Sequence, residues 1–130
     1  MSSSKVLKLM KDKDIEYVDL RFTDPRGKLQ HLTMDATIVD EKMLNEGVFF
    51  DGSSIAGWKA INESDMILKP DLNRQIVDPY TSHNTLILFC DILDAVKKDS
   101  YERDPRGIAK KAEAYLKKTG IGDKAYFGPE

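Results

Sequence analysis

Thr85-Leu86-Ile87-Leu88-Phe89-Cys90-Asp91-Ile92-Leu93 carries apolar side chains on consecutive positions for most of its length. A strand with one wet face alternates apolar and polar residues, so this run reads as a central strand covered on both faces. Upstream, Met66-Ile67-Leu68 and Gln75-Ile76-Val77 read as two short strands divided by Pro70, because proline cannot donate to a ladder. Further upstream, Val18, Leu20 and Phe22 alternate with Asp19, Arg21 and Thr23, the period of a half-buried strand. Asp24-Pro25-Arg26-Gly27 is a turn sequence, with proline presetting φ and glycine free to take positive φ. Residues 28–34 then return as the second strand of a hairpin.

Helical signals surround these strands. Ser2 to Ser4 offer N-cap hydroxyls, and Val6, Leu7 and Met10 follow at helical spacing, which predicts a short amphipathic helix over 4–14. Asp40 can cap a short helix through Met43 and Leu44 that stops at Gly47. After the polar stretch Lys97-Lys98-Asp99-Ser100 comes the strongest helix. Asp104 is its N-cap, Pro105 stands at N1, and Ile108, Ala112, Tyr115 and Leu116 form its apolar stripe. Gly120 stands at C′, and Lys117 and Lys118 oppose the negative end of the dipole. Ala125-Tyr126-Phe127 reads as the beginning of another strand. The fold class is therefore α+β, a small mixed sheet with short helices to about residue 100 followed by a helical connector.

Composition narrows the function. Twenty basic residues nearly balance twenty-two acidic ones, and no basic block occurs, so nucleic acid and anionic membrane are poor partners. The longest apolar run is far too short to span a bilayer, and lysines interrupt the N-terminal apolar residues, so no signal-peptide core exists. Cys90 is the only cysteine, which rules out an internal disulfide and makes the cytoplasm the simplest location.

The stretch with most chemical content is Phe50-Asp51-Gly52-Ser53-Ser54. Its two serines and glycine disfavour regular structure, so it reads as a loop leaving the apolar run Val48-Phe49-Phe50. An acidic residue directly after a strand projects a carboxylate from a rigid edge, where it can attract a cation or take a proton. The ordinary reading of the tetrapeptide is an Asx or Ser turn that closes a loop.

Together with Glu63-Ser64-Asp65-Met66-Ile67-Leu68 eight residues further on, this loop resembles the N-terminal signature of glutamine synthetases. Val18-Asp19-Leu20-Arg21-Phe22-Thr23-Asp24, Cys90-Asp91-Ile92-Leu93 and Arg103-Asp104-Pro105-Arg106 are similar to the bacterial type I enzymes. Phe127-Gly128-Pro129-Glu130 resembles the opening of that family's Gly-Pro-Glu-x-Glu-Phe metal motif. The resemblance implies a β-grasp domain over 1–100 and the start of a truncated catalytic domain over 101–130. It implies an ATP-dependent ligase that makes glutamine from glutamate and ammonium through γ-glutamyl phosphate, with this fragment inactive alone. By the same resemblance Asp51 binds and deprotonates ammonium in the neighbouring subunit's site, Ser53 and Ser54 support the loop, and Trp58 packs at the subunit interface. Glu130 would be a ligand for Mg²⁺ or Mn²⁺, with ATP as co-substrate, and the assembly a ring oligomer, a dodecamer.

Other residues have plainer readings. His31 and His83 lie far apart with no cysteine or paired carboxylate at ligand spacing, which makes structural or solvated roles the expectation. Cys90 reads as buried core. Arg103 and Arg106 flank a helix start, a position suited to phosphate but equally to the surface. No dinucleotide or Walker-type glycine loop occurs. Two alternatives remain open: a γ-glutamyl-amine ligase, and a non-catalytic β-grasp interaction module.

Overall fold

The apolar run around Leu88 does become the middle of a sheet. The computed structural model describes residues 1–58 and 65–128. Its strands are β1 (Tyr17–Thr23), β2 (Leu29–Asp35), β3 (Val48–Asp51), β4 (Asp65–Val77) and β5 (Thr85–Asp94), and its helices α1 (Ser3–Asp12), α2 (Glu41–Glu46) and α3 (Pro105–Thr119). The sheet order is β2-β1-β5-β4-β3. β5 runs parallel to β1, with Leu20 opposite Leu88, and antiparallel to β4, with Leu68 opposite Ile92. These pairings align Val18, Leu20, Met66, Leu68, Leu86, Leu88 and Ile92 on one buried face, over which α1 and α2 supply Val6, Met10 and Leu44. A one-residue slip would turn every one of these side chains to the other face, so the apolar parity itself holds the register.

Several local expectations are met. The hairpin turn closes on Asp24, whose carboxylate accepts from the backbone of Arg26 and Lys28 at 2.9 Å each. Asp40 caps α2 by accepting from Met43 N at 2.7 Å. Asp104 caps α3, and Gly120 ends it in the left-handed region. The N-cap of α1 differs: Ser2 occupies the position but makes no side-chain cap bond. Ser3 is used instead, donating to Glu41 at 2.8 Å and thereby docking α1 on α2.

Three further differences have physical causes. The segments expected as two strands around Pro70 form the single strand β4, with a register shift between Pro70 and Gln75. Proline is tolerated there because β3 begins only at Val48, opposite Leu68, so the outer edge of β4 past Leu68 is unpaired, and a bulge comes next. Ala125-Tyr126-Phe127 forms no strand, and Tyr126 and Phe127 are almost fully exposed. No strand among the described residues pairs with it, and an unpaired strand cannot satisfy its backbone groups. Finally, the apolar stripe of α3 is not buried: Ile108 is 55% exposed and Tyr115 70%.

Charge and capping hold the start of α3 to the sheet instead. Arg106 pairs with Asp71 and, at 2.7 Å, with Asp91, while Lys110 reaches Asp91 at 2.5 Å. Gly107 sits so close to Ser100 that an added Cβ would stand 2.7 Å from its hydroxyl. The Asp104 carboxylate, 1% exposed, accepts from Arg106 N and from Ile92 N in β5, both at 3.1 Å. Burial pushes this carboxyl above its ordinary value, while the backbone donors of Ile92 and Arg106 pull it partly back. The expectation that β5 is covered on both faces is met on the first face. The second is closed only in part, with Ile87 buried and Phe89 and Asp91 half-buried.

On that second face Asp19 gathers Arg21 at 2.7 Å, His31 at 2.8 Å and Thr33 at 2.8 Å. Burial raises the Asp19 carboxyl, but these three hydrogen bonds outweigh it and leave the group below its ordinary value. Two measurements check these roles. Asp104→Ala removes a helix cap and leaves Ile92 N unpaired in the interior, a loss of about 2–4 kcal/mol in urea unfolding. A group with a lowered folded value contributes stability above the ordinary 3.8 and loses it as pH falls through the lowered value. Asp19→Asn should therefore flatten the decline of unfolding free energy below about pH 4.

Candidate functional site

The loop singled out in the sequence lies at the end of the edge strand β3. Gly47 precedes that strand with φ +89° and ψ −174°, a conformation open essentially to glycine alone. A Cβ on Gly47 would stand 2.5 Å from the carbonyl oxygen of Leu68, so β3 can approach β4 only with glycine here. Four pairs then run from Val48 opposite Leu68 to Asp51 opposite Asp65. Asp51 is the last residue of the strand and begins the turn that leaves it.

Beyond it the chain bends as a short 3₁₀ segment, Gly52–Ser54, with Asp51 as N-cap. The expected irregular loop is thus an ordered turn. Asp51 Oδ1 accepts from Ser53 N at 2.9 Å and from Ser53 Oγ at 2.7 Å, and Ser54 Oγ donates to the Asp51 carbonyl at 2.6 Å. Both hydroxyls bond back to the residue that carries the carboxylate, which itself remains exposed. Two more backbone bonds, Ile55 N to Gly52 O and Trp58 N to Ile55 O, carry the turning chain on to Trp58.

Trp58 is 6% exposed and lies inside this chain's own core. Its ring stacks on Phe22 at 5.7 Å between centroids and meets Phe50 at 6.1 Å and Tyr101 at 5.8 Å edge-on. The intrachain aromatic cluster alone is enough to bury it. Its indole nitrogen meets no hydrogen-bond acceptor among the described residues. Sequence reading missed the partners of this ring. Tyr101 lies far along the chain, and no local pattern brings it to Trp58.

The other candidates have plainer surroundings. Glu130 lies outside the described residues. Among the described residues, no three His, Cys, Asp or Glu side chains gather as a metal-binding group. His31 serves Asp19, and His83 faces Glu16 at 3.1 Å. Cys90 is buried, and burial pushes its thiol far above its usual range. A cleft of about 270 Å³ is lined by Arg21, Phe89 and Arg106 among others, but acidic partners hold both guanidinium groups. Arg103 donates to the Gly57 carbonyl at 3.1 Å.

Comparison with known proteins gives a consistent picture. A family description, "Glutamine synthetase, beta-Grasp domain", matches residues 14–95. Glutamine synthetase from Rhizobium meliloti (strain 1021) is 60% identical over 129 residues, 99% of this chain and 28% of the relative. That from Methylococcus capsulatus is 58% identical over 130 residues, again 28% of its length. The cryo-electron microscopy structure of Plasmodium falciparum glutamine synthetase superposes with a TM-score of 0.85 at 28% identity, over 95% of this chain and 24% of the other. The chain thus spans little more than a quarter of the length of the bacterial relatives it matches.

The delivery of the loop by β3 is open to test. Gly47→Ala forces both a disfavoured backbone and a clash with Leu68, costing roughly 2–4 kcal/mol of unfolding free energy. Denaturant melts of that variant matching the parent would mean that β3 does not depend on this close approach.

Proposed function

The chain belongs to the glutamine synthetase β-grasp family, and from that premise we propose that it is the N-terminal part of an ATP-dependent ligase. The reaction joins glutamate and ammonia to give glutamine, with γ-glutamyl phosphate as the activated intermediate and ADP and phosphate as by-products. The observation that carries the reading is the carriage of Asp51, an exposed carboxylate at the tip of an edge strand with its turn fixed by Ser53 and Ser54.

Ammonium has no lone pair and cannot attack an acyl phosphate. A carboxylate beside it draws the cation in and accepts one proton, releasing ammonia where its lone pair can reach the acyl carbon. Phosphate then leaves with the bonding pair of the broken C–O bond, and the amide nitrogen releases its surplus proton to solvent. Asp51 takes the role of this base, and Ser53 and Ser54 hold its turn. Since the ATP and glutamate sites lie outside this segment, Asp51 serves a catalytic domain it does not itself contain, that of a neighbouring subunit in a ring. A ring of twelve copies is the assembly the family membership favours. Glu130 contributes to a Mg²⁺ or Mn²⁺ centre, whose ion supplies charge neutralisation for the phosphates when bound.

Residues 1–100 form the β-grasp unit and 101–130 open the catalytic domain. The exposed Ile108 and Tyr115 on α3 support that division, since a helix completing its own domain buries its stripe. Among the described residues no helix is long and apolar enough to cross a membrane. A cytoplasmic location accords with the reaction's need for ATP.

In the full-length protein, Asp51→Asn keeps the shape of the side chain and removes its basicity. Turnover should fall by on the order of 10²–10⁴ with the fold intact. Near-parental turnover would remove Asp51 from the chemistry. Assay of the parent with methylamine alongside ammonium separates the glutamine-forming reading from an amine ligase, for which the amine would be preferred.

A further inference from the structure

The turn that carries Asp51 is tied at its far end to the segment leading into α3. Trp58 packs edge-on against Tyr101 at 5.8 Å, and one residue earlier the Gly57 carbonyl accepts from Arg103 at 3.1 Å. Residues 101 and 103 lie more than forty positions away in sequence, yet they meet the loop at two consecutive residues.

Their own position is rigid. Tyr101 N donates to the Ile92 carbonyl at 2.9 Å, Asp104 N donates to the Tyr101 carbonyl at 3.1 Å, and Asp104 in turn accepts from Ile92 N. The segment 101–104 is therefore bonded to the central strand at both the donor and the acceptor of Ile92. From Trp58 back to Asp51 the chain is a run of hydrogen-bonded turns with little slack. The ring contacts of Trp58 and the neighbouring Arg103 bond hold this end of the turn.

We propose that Tyr101 and Arg103 are positioning residues for Asp51: they clamp Gly57 and Trp58 to β5 and so set where the carboxylate presents itself to ammonium. This rests on the role of Asp51 as the base. Neither side chain touches substrate. Their effect passes through the turn, and it should fall on ammonium alone among the substrates.

The test uses the full-length protein with Arg103→Ala, Tyr101→Leu and the conservative Arg103→Lys and Tyr101→Phe. Trp58 is the only tryptophan of this segment, and with any others replaced by phenylalanine its emission reports the clamp without reference to activity. Arg103→Ala and Tyr101→Leu should shift that emission to the red. They should also raise KM for ammonium about tenfold, with KM for glutamate and ATP unchanged. Arg103→Lys keeps a cationic donor and Tyr101→Phe keeps the ring, so both should stay near the parent. Arg103 is exposed, so its alanine variant remains folded and keeps the test valid should Tyr101→Leu be unstable. Unchanged emission and unchanged ammonium KM in Arg103→Ala would overturn the clamp. So would a red shift with unchanged ammonium KM, provided Asp51→Asn abolishes turnover, and the ligase reading would then still stand. Parental turnover in Asp51→Asn sinks that reading instead, and the clamp's role with it.

Discussion

Ile92, the last core residue of the central strand, gives its N–H to the buried Asp104 carboxylate and its carbonyl to Tyr101. This pair of bonds joins the sheet to the chain beyond it, beside the Arg106 and Lys110 ion pairs. A carboxylate this deeply buried is costly, and burial accordingly raises its proton affinity. The cost is offset because each acceptor bond removes another penalty: a strand N–H without a partner, and the orphan donors of a helix start. The site is therefore a junction in which two unfavourable sets of groups satisfy one another.

The second face of the sheet obeys a different logic. Two clusters of charge lie there, Asp19 with Arg21, and Asp91 with Arg106 and Lys110. Arg21 also reaches Asp78, and Arg106 reaches Asp71, so each guanidinium spans two carboxylates. These arginine pairs are largely shielded from solvent, and each guanidinium fixes the geometry of two segments at once. The Arg106 and Lys110 pairs hold the start of α3 against the sheet without committing its apolar stripe, which stays on the outside.

Much of this was legible in the sequence, for reasons specific to each element. The unbroken apolar run of β5, the Asp-Pro-x-Gly turn and the Asp-Pro start of α3 are short-range signals whose physics is local, and the structure agrees with them. Pro70 misled because its effect depends on where β3 begins, which no local pattern contains. Tyr126 and Phe127 read as strand, but a strand is defined by its partner. The stripe of α3 was recognised correctly as apolar; that it faces outward is a fact about what packs on it. At the candidate site, Asp51, Ser53 and Ser54 were found by motif, whereas the Trp58, Tyr101 and Arg103 contacts depend on chain crossing and leave no trace in spacing.

The two readings of the Asp-Gly-Ser-Ser tetrapeptide, an Asx turn or a working carboxylate, prove to be compatible. Asp51 Oδ1 closes the turn with Ser53, as the plain reading requires. That same closure fixes the side-chain torsions of an exposed residue that would otherwise sample several rotamers, and losing that freedom in advance is what orientation in catalysis demands. A carboxylate on a slack loop would attract a cation equally well but present it at no particular angle to an electrophile. The structural turn is therefore the means by which a chemical role becomes feasible, and the strand geometry set by Gly47 behind it is part of the same device.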